Sequence, residues 1–138
     1  MRDPGEPGCV HAPADVLAER RALAERVCRE TRLAGLNAFL LEGMDAAYQV
    51  GAEVEVDPGD DAAGGVLVSW KPDEALLDAA MERLQKGRLD APEFLHYVAV
   101  CTRMQEAIVA IIRSAGIDAD AEQNDLDPLI LLLKPRQP

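Results

Sequence analysis

Closely spaced carboxylates are the residues of this chain best suited to chemistry. Glu53 and Glu55 alternate with Val54 and Val56 on a predicted strand, and Asp57 follows them. Paired carboxylates can transfer protons or hold a cation, but acid–base catalysis needs a buried carboxyl group with a shifted pKa. The alternation places both glutamates on the solvent side of the strand. The pattern therefore favours a solvated acidic face over a catalytic pair.

A second acidic run, from Asp118 to Glu122, resembles the start of a calcium-binding loop. An EF-hand loop needs a glycine at its sharp turn and a glutamate at its last ligand position. This chain has Gln123 and Leu129 at those two places. The run is therefore interpreted as a hydrated surface loop, and no metal site is predicted in it.

The cysteines and histidines form no recognisable metal or nucleophile pattern. Cys9, Cys28 and Cys101 are odd in number and none belongs to a CxxC pair, which argues against a disulfide framework or a zinc knuckle. Cys9 and His11 together supply only two ligands. His96 and Cys101 would point about 140° apart on a helix, so they do not form a local dyad. No metal ligand and no cofactor is predicted.

Serine chemistry also lacks a scaffold. Ser69 lies within a predicted strand and Ser114 near a helix end, and neither is part of a GxSxG elbow. The chain contains neither a P-loop nor a GxGxxG motif. No catalytic residue is assigned, and the sequence leans towards a role without catalysis while leaving that question open.

The charge of the chain is strongly acidic, with 25 Asp and Glu residues against 14 Lys and Arg and a net charge of -11. Such a charge repels a phosphate backbone and favours basic or cationic partners. Five arginines cluster in the first predicted helix: Arg20, Arg21, Arg26, Arg29 and Arg32. Glutamates at helical spacing pair with most of them, which is typical of a solvent-exposed helix face. Nucleic-acid binding is therefore disfavoured.

Periodicity and turn residues place these side chains on elements. A helix is predicted from Pro13 or Ala14 to about Ala34, where Gly35 can end it. Helical spacing continues through Leu33, Leu36, Leu40 and Met44, which predicts a further helical segment towards Ala47. Residues 50–57 and 66–70 each alternate, and the turn residues between them predict a β-hairpin.

The second half of the chain reads as two helices and a final strand. One helix is predicted from Pro72 to Gly87, and a longer one to about Ala115 with Asp90 and Glu93 forming a capping box. The apolar run 129–133 is too short for a helix and is predicted to join the sheet of the hairpin. The expected fold class is α+β: an N-terminal helix, a β-hairpin, two amphipathic helices and a short C-terminal strand completing a small three-stranded sheet.

The expected domain organisation is a flexible tail over residues 1–12 and a single domain over residues 13–138. The N-terminal segment lacks the layout of a signal peptide, and the longest apolar runs are too short to cross a bilayer. With unpaired cysteines, these features predict a cytoplasmic location. The preference for arginine over lysine, with abundant alanine, is typical of a GC-rich bacterial sequence.

Two functions are compatible with this pattern. The leading hypothesis is a small acidic binding or regulatory protein that acts through a protein partner or through self-association. Residues 107–112 are apolar all round a helix, which makes Ile108, Ile111 and Ile112 the candidate partner or oligomer surface.

The alternative hypothesis is a small-molecule-binding domain, or a modest enzyme, with a pocket between the hairpin and the helices. Tyr48, Trp70 and Tyr97 are the residues predicted to line such a pocket. These three residues also occur at core-facing positions of predicted elements, which favours core packing as their role.

Overall fold

The computed structural model of the chain describes residues 12–42, 47–57, 59, 65–122 and 130–134. Those residues contain three helices and five strands. In chain order the elements are α1 Ala14–Leu33, β1 Ala38–Leu40, β2 Gly51–Val56, β3 Val66–Lys71, α2 Glu74–Gln85, α3 Pro92–Ser114, β4 Asp118–Glu122 and β5 Ile130–Lys134. The predicted α+β fold class is confirmed.

The strands form one sheet in the order β1-β2-β3-β5-β4. The predicted hairpin is present, with Val54 opposite Val68 and Val56 opposite Val66 across β2 and β3. The predicted C-terminal strand joins the same sheet, since β5 runs antiparallel to β3. Two strands that were not expected extend the sheet at its edges: β1 runs parallel to β2, and β4 runs antiparallel to β5.

The core lies between one face of the sheet and the helices α1 and α3. Helix α1 packs on β1, β2 and β3, whereas α3 packs on β3, β4 and β5. Val54 and Val68 of the hairpin are fully buried against Val27 of α1 and Ile108 of α3. Within the described residues α3 is long and apolar enough to cross a membrane by length and composition alone, a test that core helices also pass.

The segment after Gly35 is a strand at residues 38–40 and not the helix that was predicted there. The helical spacing is misleading because Leu33 is 75% exposed whereas Leu36 and Leu40 pack against the core, so these three residues do not share one buried face. The gain from burying Ala38 and Leu40 under α1 outweighs the local helical pattern. Residues 43–46, the end of that predicted helix, lie outside the described residues.

Two other local predictions are also corrected. The acidic run Asp118–Glu122 is strand β4 and not a loop, because pairing with β5 and burial of Ala119 hold it in the sheet. The capping box is absent, since α3 begins after Ala91 with no side-chain cap. The Oδ1 atom of Asp90 instead lies 4.0 Å from the Nε atom of Arg88.

Both edge strands are reached through the same seven-residue turn. Residues 32–38 read RLAGLNA and residues 113–119 read RSAGIDA. In each turn the glycine has a positive φ, 101° at Gly35 and 88° at Gly116, which other residues adopt only at a cost. The backbone hydrogen bonds around the two glycines also correspond, so each helix ends in a Schellman-type turn.

An arginine locks each of these turns. Arg32 Nε donates to the Ala38 carbonyl at 2.8 Å, and Arg113 Nε donates to the Ala119 carbonyl at 2.7 Å. Both alanines are buried at the start of an edge strand. Each arginine therefore ties an edge strand to the helix that precedes it.

A third arginine ties α1 to the hairpin. Arg20 is only 7% exposed, and its Nη1 donates to the carbonyl oxygens of Asp57 and Gly59, both at 2.7 Å. These carbonyls follow β2, where the chain turns back towards β3. Because a charged donor serves two acceptors, Arg20 fixes this end of the hairpin against α1.

We expect Arg20→Met to lower the free energy of unfolding by about 2–4 kcal/mol, because two partly buried carbonyls lose their donor. Arg29→Met is the matched control on the same helix, since Arg29 is exposed and such surface changes usually stay within about 0.5 kcal/mol. Urea unfolding followed by circular dichroism measures both. Equal losses in the two variants would contradict the role assigned to Arg20.

Candidate functional site

The isoleucines predicted as a partner or oligomer surface are mainly core residues. Ile108 and Ile112 are 0% exposed and belong to the cluster between the helices and the sheet, while Ile111 is half-buried. These two isoleucines are covered by the chain's own strands and by α1. Sequence periodicity cannot distinguish such cover from cover by a partner. Ile108 and Ile112 are therefore corrected from surface to core.

The three aromatic residues predicted to line a pocket lie in different surroundings. The Tyr48 hydroxyl donates to the Pro72 carbonyl, and Trp70 packs against the edge of the core. The Tyr97 ring lies 6.4 Å from the ring of Phe94. Of these three residues, Tyr48 lines one of the two cavities beside strand β1, and Trp70 and Tyr97 line neither of them.

The cysteines and carboxylates show no arrangement for catalysis in the described residues. Cys28 and Cys101 are buried and belong to no disulfide in the described residues, and burial raises the pKa of Cys28, which disfavours a thiolate. Glu53 is half-buried and Glu55 is exposed on the same strand. Within the described residues no three His, Cys, Asp or Glu side chains are grouped so that they could hold a metal ion. Cys9 and His11 lie outside those residues.

Two cavities flank the edge strand β1. The first, of about 260 Å³, lies on the side of α1 and the second, of about 300 Å³, lies on the side of the residues that precede β2. Leu40 and Glu42 line both. The first is otherwise lined by Glu25, Cys28 and Arg32, and the second by Phe39, Leu41, Ala47, Tyr48, Gln49, Glu53 and Lys71.

The backbone of β1 alternates between its partner strand and the open edge. The Leu41 N–H donates to the Val54 carbonyl, and the Ala52 N–H donates to the Asn37 carbonyl. In a parallel pair this pattern directs the peptide groups of Ala38 and Leu40 away from β2. Arg32 already occupies the Ala38 carbonyl. Leu40 therefore presents its N–H and C=O at the edge, between the two cavities.

The charges beside this edge form a small network. Arg21 Nη2 lies 2.5 Å from Glu42 Oε1, and Arg21 Nε lies 3.4 Å from Glu25 Oε1. The hydrogen bond to Glu42 raises the pKa of Arg21 above its usual value. Glu53 and Lys71 line the second cavity. Both signs of charge are therefore available beside β1, and the chain as a whole carries -11.

The site at strand β1 was not predicted, because the spacing of apolar residues after Gly35 indicated a helix towards Ala47. The sequence nevertheless contains a signal for strand β1. Residues 32–38 (RLAGLNA) and 113–119 (RSAGIDA) are two similar segments, and each forms a turn from a helix into a strand. In comparisons with known proteins, the chain matches no family model, no curated protein and no solved structure.

We expect Ile108→Ala to lower the free energy of unfolding by about 2–5 kcal/mol, the cost of a cavity in a well-packed core. Ile111→Ala on the same helix should cost clearly less, because Ile111 is only half-buried. Thermal unfolding with calorimetry compares the two variants. A larger loss for Ile111→Ala would contradict this assignment of core and surface.

Burial raises the pKa of Tyr48 to about 12, and neighbouring acidic residues such as Glu74 add to the effect. A tyrosine titrates near 10 when unfolded, so this contribution to stability is present below about pH 10 and is lost between about pH 10 and 12. We expect the tyrosinate absorbance that Tyr48→Phe removes to have its midpoint near 12. The control is Tyr97→Phe, which removes the other of the two tyrosines. A midpoint near 10 would contradict the desolvation of the Tyr48 hydroxyl, which donates to the Pro72 carbonyl although the residue as a whole is 37% exposed.

Proposed function

We propose that this chain is a protein-binding module that receives an extended segment of a partner along the edge strand β1. The observation that carries the proposal is the pair of cavities on the two sides of that strand, which share Leu40 and Glu42. In this reading the acidic chain acts in a regulatory or targeting role by holding another protein and performs no catalysis.

The geometry of a strand supports this mode of binding. Successive side chains of an extended segment point to opposite faces, and a segment added to a sheet edge makes main-chain hydrogen bonds while alternate side chains enter pockets. At β1 the Leu40 peptide groups would supply the hydrogen bonds. The cavity beside Cys28 would take one side chain and the cavity beside Tyr48 would take the next.

The lining favours a segment that combines apolar and basic residues. Leu40, Phe39 and Leu41 offer apolar contact, whereas Glu42 and Glu53 offer carboxylates. The net charge of -11 attracts a basic partner at long range and speeds its encounter. Cys28 and Cys101 form no disulfide in the described residues, which suits a reducing cytoplasm, and that is where we place this interaction.

Selection of random 12-residue peptides against the full chain, followed by calorimetry, tests the proposal. We expect the selected peptides to alternate apolar and basic residues and to lose at least about tenfold in affinity, or about 1.4 kcal/mol, for Leu40→Pro. Proline removes the outward N–H of an edge strand and breaks no pairing to β2. Leu40→Ala is the matched control, because it loses side-chain packing and keeps the N–H.

Two further results decide the matter. Charge reversal by Glu53→Lys should shift the selected peptides towards acidic residues, whereas Glu55→Lys should not, since Glu55 does not line the cavity. Equal binding to Leu40→Pro and Leu40→Ala would overturn strand addition at β1.

A second candidate function is small-molecule binding in the cavity beside Tyr48. Its volume of about 300 Å³ is at the lower end of the range for ligand sites. A thermal-shift screen with metabolites tests it, and a stabilising compound should act equally on Leu40→Ala and on Leu40→Pro, which both remove the Leu40 side chain from the cavity and differ in the N–H. That equality separates this candidate from strand addition, which needs the Leu40 N–H.

A further inference from the structure

Helix α2 and the first half of α3 form a helical hairpin that has almost no core of its own. In α2 only Ala80 is buried. In α3 five residues are buried, and none of them precedes Cys101. Among the described elements α2 packs against α3 alone. Two helices with so little enclosed apolar surface gain little from packing, since most helical stability comes from a buried face.

This helical hairpin extends past the end of the sheet. The Cys101 Sγ lies 4.0 Å from the Trp70 carbonyl, near the end of β3. The nine residues of α3 before Cys101 therefore reach about 14 Å beyond that point, at 1.5 Å per residue. The sheet therefore does not cover this part of α3, and among the described elements α2 is the one that packs beside it.

Large apolar side chains are exposed at this projecting end. Leu84 near the end of α2 is 41% exposed, Leu89 in the connection is 56% exposed, and Leu95 in the first turn of α3 is 54% exposed. Half-buried apolar residues accompany them on both helices, including Leu77, Met81, Phe94 and Val98. Several exposed apolar side chains on one projecting element are typical of an interaction site.

The charges of this end identify the occupant. Residues 82–95 contain three acidic and three basic residues, whereas residues 35–81 carry a net charge of -9. The six form pairs within the chain: Lys86–Glu82 at 3.0 Å, Arg83–Glu93 at 3.4 Å and Arg88–Asp90 at 4.0 Å. Two copies of this acidic chain would repel each other through most of their surface. Glu74 and Asp78 lie at the start of α2, so the neutral part of the helical hairpin is its tip, residues 82–95. That repulsion is weakest at this tip, and mixed charges allow the same patch to face itself.

We propose that two copies of the chain associate through this helical hairpin, with α2 and the first half of α3 from each copy forming a four-helix bundle. Leu84 and Leu95 become buried between the helices of the two copies, and Leu89 of the connection packs at the end of the bundle. The two copies would be related by a two-fold axis, because each contributes the same patch to the interface. The β1 edge is a separate surface, so the dimer presents two binding edges.

Sedimentation equilibrium between about 1 and 100 μM, the range that brackets a micromolar Kd, tests the proposal on the full chain. We expect twice the monomer mass at the upper concentration. Leu89→Glu and Leu95→Glu should each weaken the dimer at least tenfold, because both place an acidic charge in the apolar contact between the two copies. The matched control is Leu33→Glu, since Leu33 is 75% exposed at the end of α1, outside the hairpin.

Circular dichroism establishes that each variant is folded, and Leu89 lies in a connection where glutamate costs the monomer little. A monomer at 100 μM, or a dimer that Leu33→Glu weakens as much as Leu89→Glu does, would overturn the proposal. Peptide binding at β1 should be the same in Leu89→Glu as in the original chain. Failure of the dimer is therefore distinguishable from failure of the proposed function.

Discussion

The hydrogen bond from an arginine Nε to the first alanine of an edge strand is the contact on which the sheet depends. It occurs twice, from Arg32 to Ala38 and from Arg113 to Ala119. Between each arginine and its alanine, a glycine with positive φ reverses the chain at the end of a helix. The two long helices are thereby fixed on one face, and each leads directly into an opposite edge of the same sheet.

These contacts also decide which edge groups stay available. An uncovered edge strand pairs with other chains, and natural sheets protect such edges with short strands and charged side chains. In β1 and in β4 an arginine occupies the carbonyl of the first buried alanine. Beyond that point β1 keeps Leu40, with a cavity on each side. Because only the Leu40 peptide groups of β1 are open to a partner strand, this edge is compatible with selective binding. The short opening also protects the sheet against pairing with unrelated strands.

The elements with strong local signals could be predicted from the sequence. The hairpin follows from period-two alternation around a turn, and α2 and α3 follow from helical stripes that end at Gly87 and Gly116. Strand β1 could not be predicted, because three residues are too few to show a period and its pairing partner lies beyond a crossover connection. Strand β4 alternates alanine with carboxylates, which reads locally as a charged loop.

The sites needed information that one sequence does not carry. Periodicity predicted that residues 107–112 would be covered on all sides, by the chain itself or by a second copy. The structure buries Ile108 and Ile112 in the core, whereas Ala107 and Ala110 are exposed and Ile111 is half-buried. The cavities at β1 exist only because α1 and residues 47–49 approach the same strand from two sides. The duplicated turn was visible in the residues, and its arginine contacts appear only in three dimensions.

Amide hydrogen exchange at Leu40, measured by NMR on the full chain with and without a selected peptide, tests the central claim most directly. Strand addition at β1 predicts that the Leu40 amide becomes at least tenfold better protected in the complex, because its outward N–H gains an acceptor, while the Leu41 amide, already bonded to Val54, changes little. A tight complex in which the Leu40 amide exchanges as fast as in the free chain would contradict the account.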